Sequence, residues 1–175
     1  MMPLKRVDHC VMVLNHFLYI VGGQVSLNSN GKDSIGTVHR YDPRFNTWLQ
    51  ICPMQQGRAF FVLEGLGGCL EGSNCWEPLQ SMQVPRGLHM MVALKCCVYV
   101  MEGNPVNAYG DQIDVMNCES YNPETNEWLS LSPMLTGLNM SGFAVLDNRI
   151  YIMGGYDGSQ SAAGERHTVL HDSRG

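Results

Sequence analysis

Charge is scarce in this sequence. Charged side chains make up 15% of the 175 residues, against about 25% in ordinary domains. The eleven Lys and Arg are outnumbered by sixteen Asp and Glu, for a net charge of -5, and they form no basic run interleaved with aromatics. A phosphate-tracking surface is therefore excluded, and no nucleic acid partner is expected. Long apolar runs are missing too. No segment reaches the roughly 18 apolar residues of a spanning helix, and "VMVLNHFLYIV" is broken by Asn15 and His16, which reads as a hairpin and not as a signal peptide. No membrane contact is expected, and the location expected is cytoplasmic.

Chemical motifs are equally sparse. There is no nucleophile elbow, phosphate loop or paired carboxylate, so no catalytic residue is assigned and the chain does not read as an enzyme. The seven cysteines, Cys10, Cys52, Cys69, Cys75, Cys96, Cys97 and Cys118, lack the two-residue spacing of a zinc knuckle. They read as reduced, structural thiols of a cytosolic protein. A redox role would fall first on the vicinal Cys96-Cys97, which a hairpin turn explains without chemistry. His167 and His171 have metal-like spacing only on a helix, and no third ligand lies nearby. No metal and no cofactor are expected.

What the sequence does hold is glycine, 19 in all, and an internal repeat. "VLNHFLYIVGG" from Val13, "ALKCCVYVMEG" from Ala93 and "VLDNRIYIMGG" from Val145 share one pattern. Two of the copies are followed by the same landmarks, Tyr41, Trp48 and Met54 in "YDPRFNTWLQICPM" and Tyr121, Trp128 and Met134 in "YNPETNEWLSLSPM". Tyrosine precedes tryptophan by seven residues in both, and tryptophan precedes methionine by six. From Met82 to Met134 a full unit is fifty-two residues. A period near fifty indicates a propeller, not a coiled coil or a helical solenoid.

The local physics agrees. Short runs of β-branched and aromatic residues are separated by turn candidates at Asn15-His16, Lys95-Cys96 and Asp147-Asn148. Glycine at Gly22, Gly23, Gly103, Gly154 and Gly155 permits positive φ where the second strand ends. A third strand stops at a proline, and a fourth carries the tryptophan. Four antiparallel strands per unit make a blade, with the tyrosine and tryptophan offering apolar area. The fold class expected is all-β.

Diglycine, then tyrosine, then tryptophan seven later, with "YNPETNEW" between, resembles the kelch repeat. The runs "MQVPRGLHMMVAL" and "NCESYNPETNEW" are similar to the kelch domain of the kelch-like (BTB-BACK-kelch) adaptors. The resemblance covers roughly residues 5 to 160. It implies a protein-interaction module that recognises substrate for a cullin-linked ubiquitin ligase. A cullin would be reached only through N-terminal domains absent from this chain. Other kelch proteins imply an actin-associated or scaffolding role, and one kelch-type propeller is a copper oxidase; here Tyr41 and Tyr121 are explained as repeat landmarks and the histidines are scattered, so no copper site is assigned. Redox sensing by cysteines also occurs among kelch-like relatives.

The departures from the pattern are quantitative. Met54 and Met82 are twenty-eight residues apart where a full unit needs fifty-two, so some twenty-four are missing. The units expected are 5-54, a truncated 55-82, 83-134 and a partial 135-160, followed by a divergent, disordered tail at 161-175. In the short unit "GRAFFVL" would supply a first strand and "NCWEPL" a last one. The result is an incomplete, open propeller of two full and two partial blades, poorly soluble alone or a non-functional truncated isoform.

Binding residues are then sought in the loops after each diglycine, which project from a rigid scaffold. The resemblance maps partner contacts onto the residue after each glycine pair, Gln24, Asn104 and Tyr156. Arg58 and Arg86 add charge-assisted contacts to an acidic peptide, or cap a turn or cover a seam between blades.

Overall fold

The computed structural model describes residues 2-27, 32-65, 75-104, 116-134 and 141-155 and the backbone strand 167-171. They fall into two compact units, Met1–Leu79 and Gln80–Gly175. No α-helix occurs among the described residues.

The first unit holds one antiparallel sheet, β1 (Cys10–Leu14), β2 (Phe17–Val21), β3 (Val38–Asp42) and β4 (Thr47–Ile51), in the order β1-β2-β3-β4. The second holds a sheet of the same order, β5 (Met90–Leu94), β6 (Cys97–Met101), β7 (Glu119–Asn122) and β8 (Glu127–Ser130). Register repeats at a constant offset. Cys10 faces Val21 as Met90 faces Met101, and Tyr41 faces Trp48 as Tyr121 faces Trp128. A third sheet in the second unit joins β9 (Gly142–Leu146), β10 (Arg149–Met153) and β11 (His167–His171) in the order β11-β10-β9.

The turns form where the sequence places them. Asn15 and His16 take φ of 49° and 66°, Lys95 takes 55°, and Asp147 and Asn148 take 49° and 57°. Asparagine and aspartate accept this region more readily than other side chains, and two such residues in succession match the twist of a two-residue hairpin. A second asparagine position closes the β3-β4 and β7-β8 turns. Asn46 and Asn126 sit at φ of 51° and 55°, and their Oδ1 atoms accept from Tyr41 and Tyr121 hydroxyls at 3.0 and 2.8 Å. Each tyrosine ring also packs on its tryptophan, with centroids 4.9 Å apart in the first sheet and 5.1 Å in the second, inside the range favoured by aromatic pairs.

Strand alternation then separates two faces. In the second unit Met90, Val92, Leu94, Tyr99, Met101 and Cys118 pack on Ile150 and Ile152 of β10, so one sheet's apolar face is covered by the next. In the first unit Tyr19, Val21 and Val38 form the buried centre. Their cover comes partly from Phe61 and Leu63, which belong to the short unit.

Two expectations are corrected. The described parts of "GRAFFVL" and "NCWEPL" contain no strand. The first and last strands of a four-stranded order are separated by two others, at about 4.8 Å per step. Among the described residues of this unit there is no middle strand to pair with them. What survives of the unit is its packing on the first sheet. The segment 161-175, expected to be a strandless tail, supplies β11, which runs antiparallel to β10 with Met153 opposite His167 and Arg149 opposite His171. An open strand edge presents unpaired backbone groups, and "HTVLH" carries β-branched residues suited to pairing there.

Candidate functional site

In each sheet the second strand ends in a tight turn that launches a loop. Gly22 and Gly23 have φ of 61° and 95°, Gly154 and Gly155 have 72° and 93°, and Gly103 has 94°. The second glycine is obligatory for space as well as for φ. A Cβ at Gly23 would lie 2.6 Å from the Val7 carbonyl oxygen, and one at Gly103 would lie 2.7 Å from that of Gly87. The chain approaches this closely because Val7 and Gln24 exchange backbone hydrogen bonds at 3.0 and 2.9 Å, as Gly87 and Asn104 do at 3.2 and 2.9 Å.

The first position differs between sheets. Where the others have Gly22 and Gly154, the middle sheet has Glu102, at φ 60° and fully buried. Its Oε1 accepts from the Ser141 hydroxyl at 2.6 Å, while Oε2 has no partner. Burial pushes the carboxyl above the usual range, and the Ser141 hydrogen bonds only partly offset this.

Beneath the turns of the two four-stranded sheets lies a buried arginine. Arg6 Nη1 donates to the carbonyls of Gly22 and Thr37 at 2.9 and 3.1 Å, and Nη2 meets His39 Nδ1 at 2.9 Å. Eighty residues on, Arg86 Nη1 donates to the carbonyls of Glu102 and Asn117 at 3.1 and 2.7 Å, and Nη2 pairs with Glu119 Oε1 at 2.6 Å. The Arg86 and Glu119 side chains are 0% and 1% exposed. Glu119 also accepts from the backbone N–H groups of Gln83 and Val84, so its charge is met on both oxygens. Burial, and then the nearby arginine, hold His39 and His89 below the ordinary histidine value.

These placements alter the reading of the sites. Arg86, offered as a partner contact, is a buried brace across two strands of its own sheet and has no free donor face for an acidic peptide. Gln24 is 0% exposed, and its Nε2 donates to Asp8 Oδ2 at 2.6 Å. It cannot face a partner, because the backbone pairing with Val7 turns its side chain inward. Asn104 is half-buried at the equivalent place. Arg58 is exposed, and its carbonyl accepts from the Gly23 N–H at 2.8 Å, which sets it beside the turn. Tyr156 lies outside the described residues. The landmarks Gly22, Gly23, Tyr41, Trp48, Gly103, Tyr121, Trp128, Gly154 and Gly155 all occupy repeat-equivalent places.

Sequence reasoning missed the residues that do protrude. Val25 and Leu27, just beyond Gln24, are 55% and 74% exposed. The signal was available: they are two of the three apolar residues of the loop "QVSLNSNGKDSIG", the third being Ile35. It also missed Arg6, whose match to Arg86 is visible as "RVDH" against "RGLH". Among the described residues no cluster of His, Cys, Asp and Glu could hold a metal ion.

Two four-stranded sheets of constant register, each braced by an arginine beneath a loop-launching turn, define a repeat-built interaction scaffold. The Kelch motif family model matches residues 5-55 and 138-164. Kelch-like protein 36 of Mus musculus is 26% identical over 241 aligned positions, covering 98% of this chain and 39% of the relative. Kelch-like protein 26 of Danio rerio is 28% identical over 215, covering 85% and 35%. Kelch-like protein 13 of Homo sapiens is 28% identical over 221, covering 89% and 34%. The chain thus carries kelch motifs, and its antiparallel blade-like sheets are those expected of kelch repeats.

The chain spans about two fifths of the length of the mouse relative. The alignment has an internal consequence as well. Of its 241 positions, this chain fills 98% of 175, or about 172, so about 69 positions of the relative face no residue here.

Proposed function

We propose that this chain is a protein-binding kelch module whose contacts are made at the loop-launching end of the first sheet, by Val25 and Leu27 with Arg58 beside them. The observation that carries this is the exposure of two apolar side chains on a loop whose base is locked by Gly23, Gln24 and Val7. A rigid base lowers the ordering cost of binding, and exposed apolar residues beside a cation suit a peptide with apolar and acidic side chains.

The finer reading is that the module selects substrates for a cullin-linked ubiquitin ligase, in the cytoplasm, through BTB and BACK domains carried by other parts of a full-length adaptor. Similarity to kelch-like proteins supports it. Affinity purification of the chain beside a Val25→Asp, Leu27→Asp variant tests the contact surface. Bound proteins should be lost from the variant while its melting curve is unchanged. Retention of every bound protein would refute the site. Sequencing the parent transcript upstream of Met1 tests the adaptor reading. A BTB domain there is expected, whereas its absence together with co-sedimentation on filamentous actin would favour a scaffolding protein.

A further inference from the structure

In the second unit the face of one sheet is closed by the next. Ile150 and Ile152 of β10 are 1% and 0% exposed and pack on Met90, Val92, Leu94, Tyr99 and Met101 of the β5-β6 hairpin. Alternate residues of a strand, and residues paired directly across strands, share a face. Leu146, Tyr151 and Met153 therefore lie on the opposite face of the β9-β10 hairpin from Ile150 and Ile152. They stand fifty-two residues beyond Leu94, Tyr99 and Met101. The side chains at the two sets of positions are the same, but their cover is not: Leu94 and Met101 are 6% and 0% exposed, whereas Leu146 and Met153 are 59% and 43%.

The first sheet carries the counterpart of the covering face. Leu18 and Ile20 of β2 stand 132 residues before Ile150 and Ile152, and Val11 and Val13 of β1 stand the same distance before Phe143 and Val145. Val11 is paired with Ile20 and Val13 with Leu18, as Phe143 is with Ile152 and Val145 with Ile150, so four apolar side chains share one face. It is turned away from Tyr19, Val21 and Val38 and from their cover, Phe61 and Leu63. Val11 and Val13 are 51% and 72% exposed, and Leu18 is half-buried.

We propose that a second copy of this chain seats the Leu18 face of its first sheet on the Leu146 face of this chain's last sheet. The contact reproduces between copies the packing that Ile150 and Ile152 make on the second sheet within one copy. The choice of partner follows from the match. The Leu146 face repeats the leucine, tyrosine and methionine that receive Ile150 and Ile152, and the Leu18 face repeats the branched pair that they receive. Contiguous exposed apolar surface marks sites of association, and removing it from water supplies the driving force. The two faces differ, so the contact is heterologous, and the assembly ends only where its free faces close on each other.

Analytical ultracentrifugation of the purified full chain over a range of concentrations tests this. The parent chain should show a mass above that of the monomer, rising with concentration. Val13→Lys with Leu18→Thr spoils one face, and Leu146→Lys with Met153→Thr spoils the other, threonine being chosen because it suits a strand. Each variant alone should be a monomer, while an equimolar mixture should give a one-to-one complex and nothing larger, because each variant keeps the face that the other has lost. If either variant loses its sheet signal in far-ultraviolet circular dichroism, the milder Val13→Thr and Leu146→Thr carry the same comparison. A parent chain that is monomeric at every concentration, whether its faces close within one chain or are left for another protein, would overturn the proposal. So would a variant that self-associates like the parent, or a mixture of folded variants that stays monomeric.

Discussion

The indole Nε1 of Trp76 donates to the Cys52 carbonyl oxygen at 3.0 Å, and this bond has a counterpart in the complete unit. There Trp128 Nε1 donates to the Gln80 carbonyl at 2.8 Å, with Gln83 Nε2 reaching the Trp128 carbonyl at 3.2 Å as Gln55 does for Trp76. The complete unit spans 48 residues between partners and the short one 24. The difference is 24, the shortfall in the Met54-to-Met82 spacing. The short unit is shorter by 24 residues while keeping the bond that anchors its end to its beginning.

If this bond holds the frame of a unit, Trp128→Phe should lower stability by about 1 kcal/mol, the usual net worth of one hydrogen bond, with the ring packing on Tyr121 retained. Trp76→Phe should cost less, because Trp76 is 37% exposed and water replaces a lost partner there. Urea titrations of both variants decide the order, and a larger loss at Trp76 would contradict it.

The buried arginines differ in what they meet. Glu119→Ala strands the Arg86 guanidinium without its counter-charge, and removal of one partner of a buried pair costs about 3–5 kcal/mol. Arg6 has only a histidine at the same place, so His39→Ala should cost much less. Chemical denaturation monitored at the tryptophans distinguishes the two, and equal losses would show that the ion pair contributes nothing special.

Acid should weaken the first sheet. His39 accepts from Arg6 only while its Nδ1 is unprotonated, and its folded value is depressed below the ordinary 6.5. Stability from a depressed group is present above the unfolded value and lost as pH falls through the folded one. His89 follows the same sign. Melting temperature should therefore fall as pH is lowered from about 7.5 toward 5.5, beginning near the ordinary histidine value. His39→Glu, which copies the Arg86–Glu119 pair onto Arg6, should flatten that fall, and a slope unchanged from the parent chain would refute the assignment.

Glu102 titrates with the opposite sign. Its folded value is raised above 4.5, so its contribution is full at low pH and lost as pH rises through the folded value. A positive φ costs a residue with a Cβ about 1–2 kcal/mol, and Oε2 is buried without a partner. Glu102→Gly, the residue found at Gly22 and Gly154, should raise stability at pH 8 and raise it less at pH 5. Destabilisation of the variant at both pH values would show that the Ser141 bond outweighs the strain and the buried charge.

The repeat was legible because strand period, turn residues and aromatic landmarks are local and recur at fixed spacing. Equal steps from Tyr41 to Trp48 and from Tyr121 to Trp128 require equal registers, and equal registers are what the sheets have. The candidate site was legible only in part. The turn at Gly23 lies where the sequence places it, but position alone does not show that the Gln24 side chain points inward. Its direction depends on a backbone pairing with Val7, seventeen residues earlier. Arg86 was left between a contact and a seam because nothing local distinguishes a buried arginine from an exposed one. Its burial follows from Glu119 and two carbonyls brought together from other strands.

Spacing along the chain thus settled the number of complete units, the shortfall of about 24 residues and the all-β class, since each depends on short-range pattern. Long-range pairing settled the rest. Whether "HTVLH" is a strand depended on the open edge of β10, and "GRAFFVL" is not one, since among the described residues no strand of its own unit lies beside it. Main-chain hydrogen bonds must be satisfied somewhere, and only the folded chain shows which partners lie within reach.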